Sequence, residues 1–599
     1  GKALNYNFDT GMGEFMETEG YFPPWYVGGE KIIRHSKEKY EVLNGYVTTC
    51  DFKDPCYEHY PLYKLKAHRI VIYPGDKLIE YHVFLTFNDV PVLYLPWTVY
   101  YLKDIKSAFS FVPGHTREWG TFLLSKYTFF NNGNVRANAH VDYRSKRGWA
   151  AGVTGKYEFD AGKTVNGKAR GNFKTYHAWD QARELDDGST IEDNRYRLSL
   201  SHRQPSVYNT TIRAEVHKLS DEDILLDFFR KDFETSIRPY SYFDITKYHS
   251  KYSARLYYQP RLNDFFSEVE REPEVKFEAR RQQLYDTPFY FTSLSSISNL
   301  TKTYANDESP SESAVRLDNY DEISYPKKYF GWLETNVWFG VRQTWYSHEK
   351  EVEDDVYRFA YSTGYEMGTK IYKVWDIDVP DWDINRLRHV IEPRFRHTYV
   401  DKPSVHRDKL IQFDGVDTLR QQNVIRPSLR NKLQTKRNGV NWDLVDLLTY
   451  IDYRLETEEE ENSFSDIFID LELRPLRNIS VDFDWQVDPY EWQVDSFNTD
   501  LALYKEGKWR LSAGYRMIQD SSSLFTYDVS YRINQMWAFT AYNRWELDTG
   551  DLEEQEYSIS SNFSCWTATF AFRETGDDVQ FWVVFWINEF PDLELNIGN

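Results

Sequence analysis

The sequence predicts an all-β protein built mainly from a large transmembrane antiparallel β-barrel. Three observations predict it: abundant aromatic residues, apolar and polar residues alternating along strands of about ten residues, and short turns mixed with long polar connections. Aromatic residues make up 17% of the 599 residues, with 46 Tyr, 39 Phe and 19 Trp. Membrane barrels place Tyr and Trp at both lipid–water boundaries. The mean hydropathy of -0.67 is compatible with a barrel because polar lumen-facing residues alternate with apolar lipid-facing ones.

The alternation is clearest in the C-terminal part of the chain. Residues 467–474 and 479–488 each alternate apolar with polar side chains and flank a turn at residues 475–478, which predicts a hairpin with one apolar and one polar face. Strands of about ten residues fit a tilted membrane crossing. A soluble β-sandwich or propeller remains the alternative, although its strands usually run about five or six residues. Connections are unequal, since residues 505–508 indicate a short turn and residues 306–319 a long polar connection.

Two domains are predicted from these patterns. The barrel is expected at residues 105–599, and at about 19 residues for each strand and its connection this length gives on the order of 26 strands. Residues 1–104 contain shorter, closely spaced strands, which indicate a small β-sandwich or jelly roll. The first residues lack the apolar region of a signal peptide, and we expect this domain to be N-terminally truncated.

Charge and motifs exclude several function classes. The net charge of -21 argues against a nucleic-acid partner. The sequence contains no His-Glu-x-x-His or Gly-x-Ser-x-Gly motif and no phosphate-cradling glycine loop, so we expect no enzyme, cofactor or metal site. The acidic residues at 456–461 are more typical of a solvated external loop than of a divalent-cation site. Three cysteines suffice for one disulfide and one odd thiol.

Several motifs resemble one known family in the same order. Residues 43–51 read Leu-Asn-Gly-Tyr-Val-Thr-Thr-Cys-Asp, residues 63–76 contain Lys-Ala-His-Arg-Ile-Val-Ile-Tyr-Pro-Gly-Asp, and residues 90–97 read Val-Pro-Val-Leu-Tyr-Leu-Pro-Trp. Further matches are Phe-Val-Pro-Gly at 111–114, Leu-Ser-Asp at 219–221 with Asp-Phe at 227–228, Ile-Glu-Pro-Arg at 391–394 and Ser-Cys-Trp at 564–566. Together they make the chain resemble the lipopolysaccharide-assembly proteins of the outer membrane, the OstA/LptD family.

The resemblance implies a fold, a location and a function. It implies a periplasmic β-jelly-roll domain that receives lipopolysaccharide from a periplasmic bridge protein, joined to a barrel in the cell outer membrane. The barrel would insert lipopolysaccharide into the outer leaflet through a lateral opening between its first and last strands. A plug lipoprotein would fill the barrel. The alternative is a general or gated porin without lipid transport.

The resemblance also implies residues for the lateral opening. Pro113 matches a proline at the entry into the barrel, and a residue without an N–H weakens strand pairing. The family usually has a second proline where this chain has Ser125, which puts a two-proline opening in doubt. Phe581, Val583 and Phe585 belong to the proposed closing strand, which is apolar on both faces. For Pro113 alone, an ordinary edge-strand or turn proline is the alternative.

A disulfide between the domains is the remaining implication of the resemblance. Cys50 matches the N-terminal partner and Cys565 the C-terminal one, which predicts a Cys50–Cys565 bridge. The alternative is a local Cys50–Cys56 bridge. The family's adjacent cysteine pair is reduced here to Cys565, and Cys56 is additional.

Overall fold

The described part of the chain is all-β apart from two short helices and three single 3-10 turns. The computed structural model describes residues 3–7, 9–23, 25–50, 63–101, 109–161, 167–181, 183–184, 190–191, 193–307, 309–352, 354–455, 462–563, 566–576 and 578–587. The acidic residues at 456–461, Cys56, Cys565 and the predicted domain boundary at 104/105 lie outside these ranges. None of the described helices is long and apolar enough to span a membrane.

The N-terminal region is one seven-stranded antiparallel sheet in which each strand pairs with the next in sequence. Its strands are β1 (Ala3–Tyr6), β2 (Gly13–Phe22), β3 (Trp25–Ser36), β4 (Lys39–Thr48), β5 (Tyr63–Tyr73), β6 (Lys77–Phe87) and β7 (Val90–Tyr101). Alternate residues of these strands turn to one face and form a buried apolar cluster that includes Trp25, Val42, Ile70 and Leu78. One face of the sheet is therefore a continuous apolar surface, called here the apolar interior of the sheet.

One carboxylate lies inside this apolar interior. Glu80 on β6 is fully buried, and neither of its carboxylate oxygens has a hydrogen-bond partner among the described residues. Burial away from water raises the pKa of Glu80 well above the ordinary glutamate value of 4.5. Because the folded state holds this proton more tightly than the unfolded chain, the stability that Glu80 contributes is fully present below pH 4.5 and is lost as pH rises through the raised pKa.

We therefore expect Glu80→Gln to protect the sheet at high pH. Wild-type β6 and β7 should exchange amide hydrogens faster at pH 8 than at pH 5 after correction for intrinsic rates, and Glu80→Gln should abolish most of that difference. The effect is about tenfold for each unit by which burial raises the pKa. Hydrogen-exchange mass spectrometry of the full chain measures it.

Glu41 offers a control of opposite sign. A hydrogen bond from His35, 2.7 Å away, lowers the pKa of Glu41, so its charged form stabilises the sheet. Glu41→Gln should give no protection at pH 8. If hydrogen exchange depends on pH equally in the wild type and in Glu80→Gln, the raised pKa is not the cause of the pH dependence.

The second part of the chain is a closed barrel, which confirms the predicted fold class at that level. Its first strands are β8 (Phe109–Thr116), β9 (Gly120–Asn131), β10 (Val135–Arg144), β11 (Gly148–Asp160), β12 (Lys168–Trp179), β15 (Asn194–Val207), β16 (Thr210–Leu219), β17 (Tyr242–Tyr248), β18 (Tyr252–Gln259), β19 (Glu268–Gln283), β20 (Tyr290–Thr303), β21 (Glu312–Tyr329) and β22 (Leu333–Tyr346). A separate two-stranded sheet of β13 (Arg183–Glu184) and β14 (Thr190–Ile191) lies between β12 and β15 in sequence. Two helices, α1 (Ile224–Phe228) and α2 (Arg230–Thr235), lie between β16 and β17 in sequence.

The ring continues with β23 (Val356–Gly368), β24 (Ile371–Val379), β25 (Ile384–Val400), β26 (Gln422–Arg437), β27 (Val440–Tyr450), β28 (Tyr453–Arg454), β29 (Ile467–Leu476), β30 (Ile479–Val487), β31 (Val494–Lys505), β32 (Trp509–Ile518), β33 (Ser522–Arg532), β34 (Trp537–Glu546), β35 (Asp551–Phe563), β36 (Trp566–Thr575) and β37 (Asp578–Ile587). Single 3-10 turns occur at Ala305–Asp307, Pro380–Trp382 and Arg407–Lys409.

The described ring closes when β37 pairs with β8. Strand β24 continues β23 because both pair with β25, and β28 continues β27 because both pair with β26. Counting each of these as one strand gives the described barrel 26 strands, which confirms the expected number. Because this number is even, the chain enters β8 and leaves β37 at the same end.

Polarity is inverted relative to a soluble protein. The guanidinium groups of Arg195, Arg316 and Arg358 are buried inside the barrel, whereas Leu317 on the opposite face of β21 is 42% exposed and Phe339 is 51% exposed. Large exposed apolar surfaces are rare on soluble monomers. An apolar outer wall around a polar interior is the arrangement that a lipid bilayer requires.

The two ends of the barrel differ in their connections. The end where the chain enters and leaves, called here the turn end, has tight connections such as residues 208–209, 438–439 and 477–478. The opposite end, the loop end, carries long connections such as residues 220–241 and 401–421. The predicted 475–478 hairpin is confirmed, with Ile469 opposite Trp485.

One predicted connection was wrong. Residues 306–319 were expected to be a long polar loop, but β21 begins at Glu312 and only residues 304–311 connect strands. Arg316 and Asp318 turn into the lumen and pair with loop-end carboxylates or hydroxyls, while Leu317 turns outward. Polar lumen-facing residues made a strand resemble a loop in sequence.

Candidate functional site: the seam and the adjacent lumen

The junction between the first and last strands, called here the seam, is the shortest hydrogen-bonded contact between full-length neighbouring strands in the described ring. Three residue pairs join β37 to β8: Gln580 with Thr116, Phe581 with His115, and Trp582 with Gly114. The same strands make eight pairs between β8 and β9 and ten pairs between β36 and β37. Neighbouring full-length strands of the described barrel therefore have the fewest paired residues at the seam.

Pairing along the seam stops at Pro113. The next pair in register would place Val583 opposite Pro113, and proline has no N–H to donate to a neighbouring strand. Residues 109–113 still pair with β9 on their other side. The seam is thus paired near the loop end and unpaired towards the turn end.

Asp578 fastens the paired part of the seam at the loop end. Its Oδ1 accepts hydrogen bonds from the backbone N–H of Arg117 at 3.0 Å and of Glu118 at 3.4 Å. The N–H of Arg117 also donates to the carbonyl of Val579 at 3.1 Å. These bonds hold the connection after β8 against the first residues of β37.

An apolar cluster covers the inner side of the seam. Val112, Phe122 and Val584 are buried against one another, with Trp119 beside them and Leu124 and Trp582 at the margin. The Phe122 ring lies over Gly114, where an added Cβ would come within 2.2 Å of the ring. Glycine at 114 therefore allows the ring to seal the seam from inside.

The predicted residues of the opening lie on two faces of this seam. Phe581 is 52% exposed on the outer surface, and Val583 shares that face by the alternation of the strand. Phe585 is in β37, but its side chain lies outside the described residues. The inward-facing residues at the seam are Trp582 and Val584, which the sequence interpretation did not single out.

Ser125 lies on β9, one strand away from the seam. Its backbone N–H donates to Asp142 Oδ1 at 2.9 Å, and its hydroxyl donates to the carbonyl of Val141. A proline at 125 would remove the first of these bonds. The position therefore pairs β9 with β10 in this chain instead of weakening that contact.

A cavity of about 1100 Å³ lies in the lumen beside the seam. It extends from the turn-end residues Asn131 and Asn134, along β9 to β16, to Trp119 and Phe228 near the loop end. Leu124 and Ser125 line it, so the cavity reaches the strand next to the seam. It provides a wet compartment adjacent to the least-paired part of the wall.

The segment carrying α1 and α2 closes this cavity at the loop end. Ile224, Leu225, Phe228 and Phe229 are buried against the inner wall at Tyr176. These side chains form an apolar plug element contributed by the chain itself, and we call residues 220–241 the roof.

Buried charges fasten the roof to the wall. Arg195 Nη1 lies 3.1 Å from Asp180 and 2.5 Å from Asp227, and its Nη2 lies 2.5 Å from Asp221. Arg147 adds bonds of 3.1 Å to both Asp180 and Asp227. Such a network is strongly destabilised when one partner is removed, because the remaining charges stay buried. The motif residues Asp221, Asp227 and Phe228 thus belong to the roof.

The Ile-Glu-Pro-Arg motif and Cys50 lie outside the two strands of the seam. Glu392 and Arg394 of the Ile-Glu-Pro-Arg motif lie on β25, where Glu392 pairs with Lys370 at 2.8 Å and Arg394 with Glu366 at 3.2 Å. Cys50 is disulfide-bonded. Both possible partners lie outside the described residues, so the Cys50–Cys565 and Cys50–Cys56 alternatives remain predictions. No group of three or more potential metal ligands occurs among the residues that the structure describes.

The N-terminal sheet contacts the barrel beside the seam. Tyr127 on β9 packs against the apolar cluster of the sheet. Tyr127 is also directly opposite Phe109, the first residue of β8. The apolar interior of the sheet therefore extends to the part of the seam that is unpaired, near the turn end.

Two known proteins that share one name are similar to this chain in sequence. An LPS-assembly protein LptD of Thiobacillus denitrificans is 22% identical over 96% of this chain and 79% of its own length. An LPS-assembly protein LptD of Nitrosospira multiformis is 21% identical over 82% of this chain, and the match spans 54% of that relative. No protein-family model matches the chain.

The similarity of this chain to solved structures is weak. The alcaligin outer membrane receptor FauA of Bordetella pertussis is 10% identical over 87% of this chain and 82% of its own, with a TM-score of 0.23. A mutant Rhodopseudomonas blastica porin covers 50% of this chain and 98% of its own with a TM-score of 0.18. Scores this low carry no argument. Over most of its length, the chain is similar in sequence to two LPS-assembly proteins named LptD.

Proposed function

We propose that this chain is an outer-membrane translocon that receives lipopolysaccharide from a periplasmic bridge and inserts it into the outer leaflet through the seam. The observation that carries the proposal is the seam itself, with three residue pairs that end at Pro113. Opening a strand pair exposes unsatisfied N–H and C=O groups, which is costly in lipid. A seam with few pairs lowers that cost.

Two compartments meet at this seam, as transport of a glycolipid requires. The apolar interior of the N-terminal sheet suits acyl chains, and Tyr127 brings it to the unpaired end of the seam. The polar lumen cavity suits the sugar. A lipid whose chains travel along the first and whose sugar travels through the second would leave the barrel sideways, with no covalent step and no catalytic group.

The rest of the arrangement follows from this proposal. Residues 1–104 form a jelly-roll domain in the periplasm, and residues 105–599 form the barrel. The turn end faces the periplasm, because barrels of the outer membrane have short periplasmic turns and long external loops. A barrel of 26 strands encloses a wide aqueous lumen. The roof covers one part of it, and a plug lipoprotein would fill the remainder.

A general or gated porin is the competing function. It would use the same barrel, but it needs neither a greasy sheet beside the seam nor an interrupted strand pair. A porin also gains from a wall that stays closed.

Depletion of the protein in its native cell tests the proposal. Surface lipopolysaccharide should fall and lipopolysaccharide should accumulate in the periplasm, while other outer-membrane barrels still assemble. Unchanged surface lipopolysaccharide with reduced uptake of small solutes would contradict the proposal and favour the porin.

A further inference from the structure

The charge of the lumen beside the seam is opposite to the charge of the chain. The chain carries a net charge of -21. Yet the cavity along β9 to β16 is lined by eight Lys or Arg side chains and only three Asp or Glu side chains. Four of the basic residues, Arg136, Lys156, Arg170 and Arg203, lie towards the turn end of the cavity and are called here the basic wall.

Strand register places these cations directly opposite one another. Arg136 on β10 is paired with Lys156 on β11, and Arg170 on β12 is paired with Arg203 on β15. Arg203 is in turn opposite Arg213 on β16. Directly opposed like charges destabilise a sheet. Glu158 lies opposite Arg170 and Asp244 lies opposite Arg213 at the two ends of this row, so Arg203 is the residue that has arginines on both sides.

The short contacts of the three cavity carboxylates are with residues other than Lys156, Arg170 and Arg203. Asp142 accepts hydrogen bonds from Tyr176 and from the backbone of Ser125, at 2.7 and 2.9 Å. Glu158 is paired with Lys168 at 2.6 Å, and Glu215 with His217 at 3.2 Å.

By contrast, the basic residues that hold the roof are neutralised. Lys174 and Arg197 lie 2.8 and 2.6 Å from Asp232 of α2. The excess of positive charge is therefore concentrated at Lys156, Arg170 and Arg203, none of which forms an ion pair within the described part of the chain.

We propose that the basic wall binds the phosphate and carboxylate groups of the lipopolysaccharide sugar as it enters the lumen. This inference rests on the proposed function and names the part of the substrate that the lumen recognises. Closely spaced Arg and Lys side chains recognise oxyanions through charge-assisted hydrogen bonds. The cavity that they line extends to Leu124 and Ser125 on β9, the strand next to the seam, so a sugar bound there shares one compartment with the exit while the acyl chains remain in the sheet.

The test uses the purified full chain and binding measurements. Arg170→Gln with Arg203→Gln should weaken binding of purified lipopolysaccharide about tenfold, the loss expected for one charge-assisted hydrogen bond. Wild-type binding should weaken similarly when the lipopolysaccharide is dephosphorylated. Raising the salt concentration should reduce the affinity of the wild type more than that of the variant.

A matched control removes the same number of charges from another wall. Arg474→Gln with Arg516→Gln neutralises two arginines that are already paired with Glu472 and Asp500, at 3.0 and 2.6 Å. This variant should bind lipopolysaccharide within about twofold of wild type.

Three outcomes would overturn the assignment or its basis. Equal affinity of wild type and the Arg170/Arg203 variant would remove the basic wall as the binding site. Competition by inorganic phosphate at equal concentration would assign the wall to free phosphate instead of the glycolipid. If the wild type binds no lipopolysaccharide at all, the proposed function fails, and the depletion experiment reports that failure separately.

Discussion

Joining β8 to β37 by a disulfide is expected to stop lipopolysaccharide display at the cell surface. His115→Cys with Phe581→Cys places two thiols at directly opposed positions of the seam. Cross-strand neighbours have a Cβ separation close to the range that a disulfide bridges. The covalent bond would hold the paired part of the seam closed, so the expected effect is loss of nearly all surface lipopolysaccharide under oxidising conditions and recovery after reduction.

The matched control shares one of the two substitutions. Phe572→Cys with Phe581→Cys joins β36 to β37, which are already neighbours in a ten-pair hairpin. This bond should leave surface lipopolysaccharide unchanged, and it also controls for effects of the reductant on the native cysteines. Normal display from a fully oxidised His115/Phe581 variant would show that the lipid does not leave between the first and last strands.

Arg195→Met is expected to release the roof from the lumen wall. The substitution leaves Asp221 without its arginine partner and leaves Asp180 and Asp227 with Arg147 alone. Breaking a buried ion pair by removing one partner costs roughly 3–5 kcal/mol. That loss exceeds the stability of most local segments, so residues 220–241 should leave the lumen and open the cavity.

Two measurements report this release. Trypsin should cut the variant within the roof at Arg230 or Lys231 far faster than the wild type, and ion conductance across a planar bilayer should rise. Arg516→Met is the control, because its pair with Asp500 is about half exposed and such pairs contribute about 1 kcal/mol or less. A variant at Arg195 as resistant to trypsin as the wild type would contradict the fastening role of the network.

The sequence was most informative where strands alternate. The hairpin of β29 and β30 was predicted correctly because apolar residues such as Ile469 and Leu471 alternate with acidic ones. The start of β21 was missed because its lumen-facing residues, Arg316 and Asp318, are as polar as a loop. In a wide barrel, one face of a strand is solvated, and composition alone does not separate it from a connection.

The closing strand shows a different limit. Residues 581–587 are all apolar, so period-two alternation could not distinguish the outward Phe581 from the inward Val584. Only the register with β8 separates them. That register depends on contacts across more than 460 residues of sequence, which local patterns do not encode.

The roof and the basic wall were missed for physical reasons as well. Helices of five and six residues are too short for helical periodicity to be detected. The net charge of -21 averages over the whole chain and hides a local excess of cations. Counting Lys and Arg strand by strand between β9 and β16, on the lumen-facing positions alone, would have revealed it.

Crosslinking from the lumen determines whether lipopolysaccharide passes through this barrel. A photoreactive amino acid at Leu124 faces the cavity beside the seam, and one at Leu198 lies on the exposed outer face of β15. Lipopolysaccharide in the surrounding leaflet should crosslink at Leu198 whether or not transport occurs. If lipopolysaccharide leaves through the seam, it should crosslink at Leu124 as well, and this crosslink should be lost when the His115/Phe581 disulfide closes the seam. Crosslinking at Leu198 with none at Leu124 in actively growing cells would mean that lipopolysaccharide does not pass through this barrel.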